Sequence, residues 1–329
     1  MLPLGIESRI GPVPKPGWNL SEAAPPLVAD FTAPAARRWL MGRSGRIVIV
    51  PELPEVETVR RVMTRALVGK KIAAAEVSYD PIVMKGHTER AIIDCLEGRT
   101  VERVGRKGKV WWLELDGKPW LFGHLGMSGW IRELGKPTTR LKEHGKKPLD
   151  DEYGRPRFLK LMILAEDGTR IALTDGRRLA RIWLADSADT DSKVRKLGFD
   201  CLNGLPAPKE LAQVLSRRNA PIKAVLMDQS VFAGIGNWVA DEVLYQAKIA
   251  PKRLASSLRP AEVRRLKETI EHVLATAVEA GADEAHYPQT WLFLHRWGGK
   301  RGKDSIEGRR IVREPVGGRT TAWVPGFQR

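Results

Sequence analysis

The chain has 329 residues, enough for two or three domains and a sizeable core. Fifty-five Lys and Arg against 39 Asp and Glu give a net charge of +16, which points to a polyanionic partner, nucleic acid before a membrane surface. Its two cysteines, Cys95 and Cys201, form no CxxC or Cys/His ligand pattern, which argues against a disulfide framework or a cysteine zinc site, and no apolar run reaches membrane-spanning length.

Residues 1–49 are rich in Pro, Ala and Gly (Gly11-Pro12-Val13-Pro14-Lys15-Pro16-Gly17, Ala23-Ala24-Pro25-Pro26) and read as disordered or loosely attached. They lack the apolar segment of a secretory signal, and Glu7, Glu22 and Asp30 count against an acid-poor transit peptide. The next stretch, Pro51-Glu52-Leu53-Pro54-Glu55-Val56-Glu57-Thr58-Val59-Arg60-Arg61, opens an amphipathic helix with Val56, Val59, Met63 and Leu67 on one face. Pro54 in the first turn and Glu55 and Glu57 near the N-terminus suit helix geometry and dipole. By pattern alone this is a surface helix with a good start signal.

Residues 70–190 read as a β-rich region. Strands are predicted at Ile72 to Val77, Val101 to Val104, Val110 to Leu115, Trp120 to Phe122, Phe158 to Leu164 and Thr169 to Leu173, with turns at Asp116-Gly117 and Asp167-Gly168. Many short strands with one helix suggest a sandwich. Gly135 to Arg155 looks like an exposed loop. The run Gly105-Arg106-Lys107-Gly108-Lys109 reads as a solvated basic turn, and His124 as a core histidine. A polar connection, Asp186 to Lys196, reads as an interdomain hinge. Helices are then expected at Lys209 to Arg217, Ile222 to Gln229, Asn237 to Ala247 and Pro260 to Ala280. Between the second and third lies Phe232-Ala233-Gly234-Ile235-Gly236-Asn237, where glycines before a helix allow close approach to a phosphate. Residues 285–329 hold no cysteine and end in a predicted hairpin, Gly317-Gly318-Arg319-Thr320-Thr321-Ala322-Trp323-Val324-Pro325, which pattern alone leaves as a basic tail.

From Pro51 onward these motifs, in this order, resemble the formamidopyrimidine-DNA glycosylase/endonuclease VIII family of base-excision repair enzymes. The carriers are the Pro51-Glu52-Leu53-Pro54-Glu55 opening, Gly123-His124-Leu125-Gly126-Met127-Ser128-Gly129, Thr174-Asp175-Gly176-Arg177-Arg178-Leu179 and Gly234-Ile235-Gly236-Asn237 with Ala240-Asp241-Glu242-Val243-Leu244. The resemblance implies an α+β fold: an extension over 1–50, an N-terminal catalytic β-sandwich domain over 51–190, a helix–two-turn–helix domain over 191–284 and a zincless finger over 285–329. It implies a bifunctional glycosylase and abasic-site lyase acting as a monomer on damaged double-stranded DNA, with no membrane, metal or organic cofactor, in the cytoplasm and nucleoid of a bacterium or the nucleus of a eukaryote.

By the same resemblance, Pro51 would be the nucleophile, Glu52 the acid and Glu55 a positioning group. Lys109, Asn237 and Arg319 would contact phosphates. Met127, Arg178 and Leu179 would enter the space left by the extruded nucleotide, Leu179 replacing the family's aromatic. Trp291, Phe293, Trp297 and Trp323 are expected to hold the finger by packing. A proline nitrogen inside a chain is an amide and no nucleophile. Val50 is therefore expected to be the true start, encoded by GTG, unless proteolysis removes a genuine extension. The opening favours oxidised purines over the oxidised pyrimidines or hydantoins of endonuclease VIII types, which usually carry a glycine at the third position. The stretch from Gly281 to Thr290 is too short for the base-capping loop of the classical enzymes, which counts against strong 8-oxoguanine activity. A chain retaining residues 1–50 would be a damaged-DNA binding protein without catalysis.

Overall fold

Leu53, Val56, Val59, Met63 and Leu67 recur at helical spacing, and in the computed structural model they form the buried face of helix α1 (Leu53–Leu67). The structure describes residues 51–138, 149–297 and 304–329. The expectations for residues 1–50, and for the middle of the loop between Gly135 and Arg155, lie outside the described residues.

The β-rich half follows as β1 (Ile72–Val77), α2 (Glu89–Leu96), β2 (Val101–Lys107), β3 (Val110–Leu115), β4 (Trp120–His124), β5 (Trp130–Glu133), β6 (Leu159–Ala165), β7 (Arg170–Thr174) and β8 (Arg181–Ala185). They build two antiparallel sheets, β1-β6-β7-β5 and β2-β3-β4-β8. Apolar residues from both sheets, α1 and α2 share one core, in which Trp111, Leu113, Leu161, Ile163 and Ile171 are buried. The strand period of two sends Trp111 and Trp112 to opposite faces. Trp112 stacks on Phe122 at 5.7 Å, and Phe122 on Trp183 at 5.9 Å, so β3 is buried on both sides. Three elements went unpredicted: β5 and β8 are four or five residues long, and α2 is eight residues with one clear marker, Thr88 accepting from Ala91 N at 3.1 Å.

The segment expected as a hinge is tied down instead. Asp191 caps the short α3 (Ser192–Arg195) through the N–H groups of Lys193 and Val194 and accepts from Trp183 Nε1 at 2.9 Å, while Val194 packs with Trp112 and Phe122. A polar sequence here serves as a cap and not as a flexible link. Next come β9 (Phe199–Asp200), α4 (Pro208–Ser216), α5 (Ile222–Met227), β10 (Phe232–Ala233), α6 (Asn237–Gln246) and α7 (Pro260–Glu279). Their core centres on Trp238, Leu266, Ile270 and Leu274. The chain ends in β11 (Ser305–Ile306), β12 (Arg309–Arg310) and the hairpin of β13 (Val312–Val316) and β14 (Arg319–Trp323).

Aromatic packing alone does not hold that hairpin. Trp291 and Phe293 belong to the helical core beside Trp238 and Tyr287, and Trp323 is half-exposed, donating to Glu314 at 2.8 Å. Ala322 and Val324 pack in a small buried cluster with Tyr245 and Leu292, and an ionic fastening is added to it. Asp241 of α6, fully buried, accepts from Lys223 Nζ and Arg296 Nη2, each at 2.5 Å, and from Ala322 N at 3.1 Å. Lys223 also reaches Thr320 O at 3.3 Å. Because both cations are buried, Asp241→Asn leaves them without a countercharge and costs about 3–5 kcal/mol, whereas removing the exposed Arg90–Asp94 pair costs under about 1 kcal/mol. Denaturant unfolding of the two variants checks the contrast; equal small losses would show that the buried cluster does not fasten the hairpin.

Candidate functional site

The site is built where the start of α1 meets the start of α6. Glu52 immediately precedes α1 and is buried. Its carboxylate accepts from Gly236 N (2.8 Å), Trp238 N (2.9 Å) and Val239 N (3.1 Å), the unpaired donors at the N-terminus of α6. Its own N–H donates to Glu55 Oε2 at 2.9 Å, so Glu55 orients the peptide that joins Pro51 to Glu52. Gly236 makes this approach possible: a Cβ there would lie 2.4 Å from the Glu52 carboxyl carbon and 2.6 Å from Lys109 Nζ. Gly234, at φ +112°, similarly leaves room for Leu53 and accepts its N–H at 3.1 Å.

Burial pushes the Glu52 carboxyl above the ordinary range, against the opposing pull of the Lys109 charge and the helix N–H groups. Lys109 is shifted down by burial, against Glu52 and Glu55. An acid and an amine of converging affinities thus share one dry space next to Pro51, an arrangement suited to proton transfer.

Lys109 stands in the tight β2–β3 turn, and sequence reasoning missed what fixes that turn. Arg106, read as part of a solvated basic run, has a side chain only 3% exposed. It donates to Glu57 Oε2 (3.0 Å), to both Asp200 oxygens (2.7 and 3.0 Å) and to Gly108 O (3.0 Å). Asp200 also accepts from Gly108 N at 2.7 Å. The bidentate partner came from a segment 94 residues away, which local pattern cannot see.

A second cluster gathers Met127, Arg178 and Leu179. The buried Asp175 accepts from Ser128 Oγ (2.6 Å), Arg177 N (3.0 Å), Leu179 N (2.6 Å) and Ala180 N (2.6 Å), tying the Met127 turn to the Arg178 loop. A Cβ on Gly126 would lie 2.1 Å from Leu179 O, so the two backbones touch. Met127 is half-buried. Arg178, at φ +58°, is not free: it pairs bidentately with Asp80 at 2.9 and 3.1 Å, and Lys160 adds a 2.9 Å contact. Burial opposes ionisation of Asp80, but the two cations hold its carboxyl well below the usual range. Arg177, exposed, has no side-chain partner among the described residues. His124 accepts from Gly126 N at 2.9 Å, and burial pushes its imidazole down to about 4, leaving it a neutral turn-former.

Asn237 opens α6, and its Oδ1 is buried without a hydrogen-bond partner. Gln229 shapes the glycine loop before it, accepting from Gly234 N (3.0 Å) and donating to Ile235 O (2.7 Å). Arg319 is exposed at the hairpin tip, whose Gly317 rests on Ala224 of α5; its charge reaches Lys109. Among the described residues no three His, Cys, Asp or Glu side chains converge as a metal site requires.

Two family models match the chain: the formamidopyrimidine-DNA glycosylase N-terminal domain over residues 50–182 and the H2TH domain of the same enzymes over 197–288. A formamidopyrimidine-DNA glycosylase of Arabidopsis thaliana is 38% identical over 280 residues, 85% of this chain and 71% of that one. One from Pelotomaculum thermopropionicum is 32% identical over 293 residues, 85% of this chain and 99% of its own. The Lactococcus lactis enzyme bound to DNA containing an abasic site superposes with a TM-score of 0.65 at 26% identity, covering 84% of this chain and 99% of that one. Its complex with DNA containing FAPY-dG gives 0.66 at 26% identity, covering 84% and 100%.

The pairing of Glu52 with Lys109 has a measurable sign. Lys109 pulls the Glu52 carboxyl down, so Lys109→Met raises the Glu52 titration midpoint further, read by carboxyl carbon NMR with Glu52→Gln assigning the resonance. A midpoint that falls on removing the lysine would mean the two charges do not share the site.

Proposed function

Since the chain belongs to the formamidopyrimidine-DNA glycosylase family, and is a DNA glycosylase of base-excision repair, we propose that it is bifunctional, removing oxidised purines and then cutting the strand at the abasic site. Formamidopyrimidines are its first substrates, 8-oxoguanine a weaker one. The observation that carries this reading is the buried Glu52, its carboxyl pushed above the ordinary range by burial, on the N-terminus of α6 and in the position directly after Pro51.

The damaged nucleotide is extruded from the duplex. The nitrogen of Pro51, bearing no acyl group in the active form, attacks C1′ while Glu52 delivers its proton to the sugar ring oxygen, and the base leaves. The resulting iminium acidifies C2′, and β- then δ-elimination expels both phosphates. Lys109, Asn237 and Arg319 hold the phosphates around the lesion, and Met127, Arg178 and Leu179 occupy the emptied space. Arg178 must then leave Asp80 to reach an orphaned base. The family-model match beginning at residue 50 supports an active chain that starts at Pro51. Its DNA substrate places the enzyme in the nucleoid or nucleus.

A second lesion preference has an observation in its favour. Residues 281–290 follow a tight path with one short turn, Glu284–His286, and Tyr287 is buried against Trp238 and Trp291, leaving no long segment to cap a purine. That favours lesions needing no cap, including the oxidised pyrimidines and hydantoins taken by endonuclease VIII-like enzymes.

Borohydride trapping on duplexes carrying each lesion tests the chemistry. A chain beginning at Pro51 forms a covalent adduct, the full-length chain does not, and Glu52→Gln lowers base excision by about 100-fold or more. Efficient excision by the full-length chain would remove the iminium mechanism; binding without trapping by the Pro51-start chain would leave a damage-binding protein. In a salt titration of lesion binding, Arg319→Ala lowers the logarithmic slope by about 1, while Asn237→Ala weakens binding without changing it. An unaltered slope in Arg319→Ala would take that arginine off the phosphate.

A further inference from the structure

Phe158 is the residue the site does not yet use. It directly precedes β6, whose first residue Leu159 is buried, yet Phe158 is 62% exposed. Its backbone adopts φ +60°, a left-handed value that is costly for a bulky residue and persists only where neighbours impose it. The imposing contact is visible: Phe158 O accepts the N–H of Asp175 at 2.9 Å, and Asp175 is the carboxylate that organises both the Met127 turn and the Arg178 loop. The ring lies over that loop, so a Cβ on Gly176 would stand 3.2 Å from Phe158 Cδ2. Arg157 is 6.0 Å from the ring centroid.

The aromatic face therefore stands against Gly176, the residue before Arg177 and Arg178, on a loop that Asp175 ties to the turn of Met127. Leu179 is only half-exposed with its backbone against Gly126, and it has no π-face. A buried aromatic would have stabilised the fold; this one covers little more than a glycine. We propose that Phe158 is a DNA-contacting residue that stacks on a base of the duplex bordering the extruded nucleotide, supplying the aromatic surface that the loop of residues 174–179 lacks. Base–aromatic stacking tolerates any base, because every base presents a π-face. The inference rests on the lesion-extruding reading above and adds a contact to it.

The test uses the full chain, which needs no free proline to bind, and a duplex carrying a tetrahydrofuran abasic analogue with 2-aminopurine opposite or beside it. Phe158→Ala and Phe158→Leu weaken binding to this duplex by about tenfold or more and change the 2-aminopurine emission of the complex, while Phe158→Tyr behaves as the unmodified protein. Phe158→Leu keeps apolar cover on Gly176, so a loss shared by Ala and Leu reports the ring and not the cover. Binding and emission unchanged in Phe158→Ala, or a loss confined to Ala and rescued by Leu, would overturn the stacking role. An unmodified protein that binds the analogue no better than intact duplex would sink the glycosylase reading instead.

Discussion

One carboxylate seated on the end of a helix fixes the relation between the two halves of the described chain. Glu52 lies at the start of α1 in the sandwich, and its three donors come from the first turn of α6, 184 to 187 residues later. A helix N-terminus is a ready anion site, and here the anion is part of the protein. The glycines at 234 and 236 exist to let these backbones meet: with a side chain at 236, Glu52 and Lys109 would both be displaced. The same contact that joins the halves also dries the carboxyl and shifts its proton affinity, so architecture and chemistry rest on the same atoms.

The positive charge of the chain divides into two populations. Arg106, Lys223 and Arg296 are buried and bound to Glu57, Asp200 and Asp241, where they join β2 to α1 and β9, and the hairpin to α6. Arg177 and Arg319 face solvent. Arg178 stands between the populations, half-exposed yet held by Asp80. Net charge pointed to a polyanion, but only the second population is available to one.

The sequence made the long, periodic elements plain. The buried stripes of α1 and α7 and the strands at 72–77 and 110–115 follow from spacing alone, and the order of motifs identified the family. What it hid was of two kinds. Elements of four to eight residues, β5, β8 and α2, carry too little pattern to stand out. Partners far apart in the chain, Arg106 with Asp200, Lys223 with Asp241 and Asp175 with Ser128, meet only through the fold. Hence a run that reads as a solvated turn conceals a buried guanidinium, and Trp291 and Phe293, expected to brace the hairpin, serve the helical core while an ion cluster and the small apolar cluster around Tyr245 brace it.

The hairpin tip has a mechanical implication. Gly317 rests on α5, Lys223 of that helix grips the Thr320 carbonyl, and Asp241 of α6 holds both Lys223 and Ala322. The hairpin that carries Arg319 is thus fastened to α6 at Asp241, within one turn of the N–H groups that receive Glu52. Any tilt of α6 would displace the hairpin and the Glu52 carboxyl together, because both are held by the same first turns of that helix.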